Sequence, residues 1–123
     1  MRTVFPYEGR PVPNYRRAFV PGGTFFFTVV TQGRATFLCD DTARTFLSDA
    51  IRRCREQWPF GVDAIVLLPE HLHTIWTLPP GDSNYPARWG WIKKEFTKLW
   101  LASGGAEMRQ SPSRERNGRR GIW

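Results

Sequence analysis

"VDAIVLLPEHLHTIWTL", residues 62–78, decides the fold of this 123-residue chain. Its first seven residues, 62–68, are rich in β-branched and aliphatic side chains and predict a strand. Pro69-Glu70 makes a tight connection, and "HLHTIWTL" (71–78) then predicts a second strand. In an extended chain alternate residues share a face, so His71, His73, Ile75 and Thr77 lie on one side and Leu72, Thr74, Trp76 and Leu78 on the other. Both histidines of the chain therefore project from one face, one residue apart in sequence.

Upstream, "TFFFTVVT" (24–31) is aromatic and β-branched and predicts a further, buried strand after the Gly22-Gly23 break. "DDTARTFLSDAIRRCREQW" (40–58) changes period: Ala43, Phe46, Leu47, Ala50, Ile51, Cys54 and Trp58 recur three or four apart. That spacing is one helical face, begun by Asp40 and Asp41 and stopped by Pro59. Downstream, "PPGDSNYP" (79–86) reads as a loop that includes Tyr85. Residues 87–102 are helical again, with Trp89, Ile92, Phe96, Leu99 and Trp100 as the apolar stripe and Lys94 and Lys98 on another face.

The order is βαββα, one strand short of the split βαβ ferredoxin-like fold, an α+β architecture whose antiparallel sheet carries both helices on one face. "GIW" (121–123) could begin the last strand. The chain divides into a basic extended arm (1–17), one α+β core (18–102) and a basic tail or loop (103–123), too short in all for two domains. A sheet lacking an element leaves an unpaired edge that invites a second copy, a homodimer.

The formal net charge of +7 is unevenly spread. Residues 1–17 hold four arginines against Glu8, residues 18–87 five basic against seven acidic groups, and residues 88–123 nine basic against three acidic. Basic ends around a near-neutral core suit phosphate, although a solvated basic surface explains the charge equally well. No apolar run is long enough for a membrane span or a signal peptide, so the expected location is the cytoplasm, with no membrane partner. Cys39 and Cys54 form no CxxC pair and read as reduced thiols, Cys54 as core filler.

Two imidazoles two residues apart on a strand, about 6.5–7 Å between Cα atoms, can converge on one divalent ion. Such a pair is also compatible with two polar residues on a half-exposed strand. Glu70 adjoins it as a turn carboxylate, more simply read as solvent-exposed than as a ligand or base, and Asp63 is a weaker candidate on the neighbouring strand. Gly-rich phosphate loops, nucleophilic Ser or Cys motifs and zinc-finger spacings are absent from the sequence.

"NYRRAFVPGGTFFFTVVT" (14–31), "VLLPEHLHTIWTLPPGDSNYPARWGWIKKEFT" (66–97) and "GIW" together resemble the tyrosine transposases of insertion sequences, in particular the REP-associated branch, over nearly the whole chain. The resemblance implies a ferredoxin-like domain whose His-hydrophobic-His motif, here His71-Leu72-His73, binds Mg²⁺ or Mn²⁺. It implies single-stranded or hairpin DNA as partner, cut by a tyrosine that leaves a 5′-phosphotyrosine and a free 3′-OH. It also implies DNA contacts from Tyr15, Arg16 and Arg17 and from Arg88, Lys93, Lys94 and Lys98.

In that family the nucleophilic tyrosine and an Asn or Gln ligand lie on a helix beyond the strand that "GIW" would begin. None of Tyr7, Tyr15 and Tyr85 matches that place, so no nucleophile is assigned. The expectation is a chain inactive by itself, either a fragment or a truncated relic. The alternative is a noncatalytic nucleic-acid-binding module.

Overall fold

The computed structural model describes residues 2–6, 20–106 and 121–123, with only the backbone pairing described for the first of these. Strands β1 (Arg2–Pro6), β2 (Thr24–Val30), β3 (Gly61–Leu67) and β4 (His71–Thr77) form one antiparallel sheet in the order β1-β2-β4-β3. Helices α1 (Asp41–Gln57) and α2 (Tyr85–Ala102) complete the α+β fold. From β2 to α2 the order is the expected βαββα, with β4 inserted between β2 and β3.

Each central strand has two distinct faces. Phe25, Phe27 and Val29 of β2 and Leu72, Thr74 and Trp76 of β4 are buried, whereas the residues between them are half-exposed. The apolar members of this set pack in one core with Ala43, Leu47, Ala50 and Cys54 of α1 and with Trp89, Ile92, Phe96 and Trp100 of α2. Both helices therefore cover the same face, since only the odd residues of β2 and the even residues of β4 meet them. Aromatic rings fill the centre: Trp76 stacks on Trp89 at 4.3 Å, and Phe27 meets Trp76 edge-on at 4.9 Å. Such pairs add to the large apolar burial of the rings themselves.

Helix boundaries follow local chemistry. Asp40 stands at the N-cap of α1, where it and Asp41 oppose the positive end of the dipole. Asn84 caps α2, its side chain accepting from the Ala87 N–H at 3.3 Å, and Pro86 sits in the first turn, where a missing N–H costs nothing. Gly22 adopts φ +69°, and its N–H donates to the Asp82 carbonyl at 2.8 Å, tying the start of β2 to the loop after β4.

Four expectations need correction. The fourth sheet position is filled by β1, part of the predicted extended arm, which pairs with β2 from Arg2 opposite Thr28 to Pro6 opposite Phe25. "GIW" is no strand: Ile122 is buried in the core, and its carbonyl accepts from the Gln32 N–H at 2.9 Å. Tyr85 is no loop residue but the buried first residue of α2, ring to ring with Phe25 at 4.9 Å. Trp58, placed by its spacing on the buried stripe of α1, is the C-cap residue and 41 % exposed, because the helix ends before it can turn inward.

Candidate functional site

The uncovered face of the sheet carries the histidine pair at the start of β4. Their position is fixed by the Pro69-Glu70 turn: Leu68 donates its N–H to the His71 carbonyl at 2.8 Å, and the Glu70 carbonyl accepts from both the N–H and the hydroxyl of Thr31, at 3.0 and 3.1 Å. Leu38 N–H donates to the Pro69 carbonyl at 3.0 Å, anchoring the other side of the turn. Cross-strand register then sets Thr28 opposite His73 and Val30 opposite His71.

The two imidazole rings lie edge to face with centroids 4.9 Å apart. His71 Nδ1 is 3.0 Å from Glu70 Oε1, and His73 Nδ1 is 3.0 Å from Thr28 Oγ1. Phe26, on the same face, stacks on the His73 ring at 5.4 Å. Glu70 is held in turn by Arg34, whose guanidinium is 4.0 Å from the same Oε1. Arg34 sits in a 3-10 turn (Gln32–Arg34) directly after β2, and its φ of +54° is uncommon for a residue with a side chain.

Glu70 thus differs from the expected free turn carboxylate, because its side chain is only 26 % exposed and partnered by His71. Asp63 is not part of the site. It accepts from Thr77 Oγ1 at 2.6 Å, at the opposite end of β4 and roughly 13 Å along the strand from His73.

Two imidazoles on one half-exposed face, each with Nδ1 engaged by a protein group, are a donor set that fits a divalent cation, since the second nitrogen of each ring remains to ligate. They supply two ligands. Among the described residues no cluster of three or more His, Cys, Asp and Glu side chains could hold a metal.

Of the residues expected at DNA, Tyr15, Arg16 and Arg17 lie outside the described residues. Lys94 and Lys98 are exposed on α2, and Lys98 pairs with Glu95 at 3.4 Å. Lys93 is half-exposed on the same helix. Because α2 covers the other face, all three lysines stand across the sheet from the histidines, and the structure does not bring them to the pair.

Arg88 is withdrawn from the DNA set: its side chain is 3 % exposed, with Nη2 2.7 Å from Asp82 Oδ2 and further bonds to the carbonyls of Trp58, Pro59 and Asn84. A guanidinium taken out of water needs this partnership. The Arg88 hydrogen bond, followed by the Asn84 N–H, holds the Asp82 carboxyl below the usual range.

Cys54 is buried in the core as expected, and burial pushes its thiol up to about 11, which leaves it protonated and inert. Sequence reasoning missed Phe26, Thr28 and Arg34. The first two alternate with the buried face of β2, so the strand period carried a signal, but only the register sets them beside His73.

No family model matches the chain. It is 47 % identical over 83 residues to an Escherichia coli K12 protein named REP-associated tyrosine transposase, an alignment covering 68 % of this chain and 50 % of the relative. It is 38 % identical over 111 residues to a Haemophilus influenzae protein named putative REP-associated tyrosine transposase, covering 89 % of this chain and 60 % of that one. The chain thus spans half to three fifths of the length of these curated relatives. A solved REP-associated tyrosine transposase bound to a REP hairpin superposes with a TM-score of 0.63 at 36 % identity, over 86 % of this chain and 68 % of that one. A crystal structure of a putative transposase from Deinococcus radiodurans, at 19 % identity and TM-score 0.54 over 72 % of this chain and 68 % of that one, shares the fold.

Proposed function

Because this chain belongs to the REP-associated tyrosine transposase family, we propose that it is a DNA-binding transposase-type domain acting on hairpin or single-stranded DNA, with His71 and His73 holding Mg²⁺ or Mn²⁺. The observation that carries this reading is the pairing of the two imidazoles on the uncovered face of the sheet, at the point where β2, the Arg34 turn and β4 meet. The solved relative bound to a REP hairpin supports DNA hairpins as the partner class.

The bound cation would neutralise charge on the scissile phosphate and orient it. The chain's own groups do the rest. His71 and His73 fix where the phosphate is presented, and the stacked Phe26 ring limits the tilt of His73. The basic arm and tail neutralise neighbouring phosphates and favour association by counterion release. These contacts position the strand without reading its sequence.

A second reading, a noncatalytic nucleic-acid-binding module, is favoured by one observation: Tyr85 is buried between Phe25 and Phe27. Its hydroxyl is therefore not presented on the histidine face, and no described tyrosine is placed to attack a phosphate.

The test uses the full chain and a labelled DNA hairpin. Affinity should fall by about two orders of magnitude between 50 and 200 mM salt if four phosphates are neutralised. Manganese should bind the wild-type chain and not His71→Ala or His73→Ala. Binding that ignores salt would sink the DNA reading, and unchanged manganese binding in both variants would sink the metal reading. Manganese-dependent nicking lost in His71→Ala would favour the enzyme over the binding module.

A further inference from the structure

The contacts around His71 specify which of its nitrogens is free. Glu70 Oε1 lies 3.0 Å from His71 Nδ1, and a carboxylate can only accept, so the shared proton resides on Nδ1. The neutral ring then has its lone pair on Nε2. Thr28 does not impose the same on His73, because a hydroxyl can donate or accept across its 3.0 Å contact.

The Glu70 side chain is itself constrained. Its backbone carbonyl is held by two bonds from Thr31, and Arg34 lies 4.0 Å from the oxygen that faces His71. The Arg34 turn follows β2 and closes with the Ala35 N–H donating to the Gln32 carbonyl at 3.3 Å. Arg34, Glu70 and His71 thus form a chain of contacts running from an exposed guanidinium to the imidazole.

We propose that Glu70 is a positioning residue: it locks His71 as the Nδ1–H tautomer and thereby commits Nε2 as the atom that ligates a divalent cation, with Arg34 steadying the carboxylate. This rests on the reading of His71 and His73 as a metal pair. Imidazole ligands whose second nitrogen donates to a carboxylate are oriented and made more basic, and losing such a partner weakens metal affinity about 10- to 100-fold. Glu70 does this through the ring, without touching the ion.

The experiment records long-range ¹H–¹⁵N correlations of the histidine rings in the metal-free full chain at about pH 8.5, where an ordinary imidazole is neutral. His71 should show the Nδ1–H pattern, and Glu70→Ala should shift it toward Nε2–H. Glu70→Gln, whose amide oxygen still accepts, should keep the wild-type pattern. Neither substitution removes a backbone hydrogen bond of the turn, and the unchanged correlations of His73 serve as the check on folding.

Manganese titration of the same proteins should show Glu70→Ala about 10- to 100-fold weaker and Arg34→Ala weaker by no more than about fivefold. An Nε2–H pattern in the wild type, or no change in Glu70→Ala, overturns the proposal even if manganese binds. Weaker manganese binding without a tautomer change also overturns it, since Glu70 would then act as a ligand. Absence of manganese binding in the wild type overturns the metal reading on which the proposal stands, whereas the tautomer shift would still support the Glu70 hydrogen bond.

Discussion

The two faces of β2 and β4 are made by neighbouring residues of the same strands yet serve opposite ends. On the covered face Phe27 and Trp76 are fully buried and meet Tyr85 and Trp89 of α2. On the uncovered face, one residue away along each strand, Thr28 and Ile75 are half-exposed and His71 and His73 touch each other. The period of two separates stability from chemistry: a change on one face removes packing, and a change on the other removes polar contacts that water can partly replace.

The strongest way to break that division is to truncate one residue of each kind. Trp76→Ala should cost about 3–5 kcal/mol, the usual loss for a fully buried large aromatic side chain. His73→Ala, three residues away along the strand and half-exposed, should cost no more than about 1 kcal/mol. Urea denaturation of both variants measures the difference. Equal losses would mean that the histidine face is part of the core.

The next largest effect lies at the end of the sheet farthest from the histidines, in the Asp82–Arg88 pair. Asp82→Asn should destabilise the chain by about 3 kcal/mol, the lower end for a buried charge deprived of its partner, because Asp82 itself is one third exposed. The pH dependence has a definite sign. The folded carboxyl is held below its ordinary value by Arg88, so its contribution is present above the unfolded value, about pH 4, and is lost as pH falls through the lower folded value. Wild-type stability should fall along that acid limb, and Asp82→Asn should flatten it; parallel curves from urea titrations at several pH values would remove the pair from the account.

The same contrast explains what was legible in the sequence. Strands β2, β3 and β4 lie within a residue or so of their predicted limits, and both faces of β4 are as alternation predicts, because side-chain direction in a strand is a local property. The start of α1 at Asp40 and Asp41 is where the sequence placed it, whereas α2 begins at Tyr85, two residues before the predicted 87, behind the Asn84 cap. What depends on tertiary register was not legible. Thr28 beside His73, Arg34 beside Glu70 and Arg88 beside Asp82 are 45, 36 and 6 residues apart, and no local pattern announces them. Arg88 looked like a surface cation because charge says nothing of burial, and β1 looked like an arm because an edge strand tolerates the proline and lack of periodicity that suggest a loop.

The smallest effect sharpens the comparison most, because it changes one atom's chemistry on the uncovered face and almost nothing else. Thr28→Val keeps a β-branched side chain suited to the strand and removes only the hydroxyl that meets His73 Nδ1 at 3.0 Å. The half-buried ring nitrogen would lose one partner but retain access to water, so the cost should be about 0.5–1 kcal/mol by urea denaturation. Phe26 would still stack on the ring, so His73 should keep its place on the sheet. A loss several times larger would show that Thr28 and His73 are as integral to the fold as Phe27 and Trp76. A loss within the expected range, with Trp76→Ala far more costly, would establish that the face bearing the histidines can be altered for binding without endangering the core behind it.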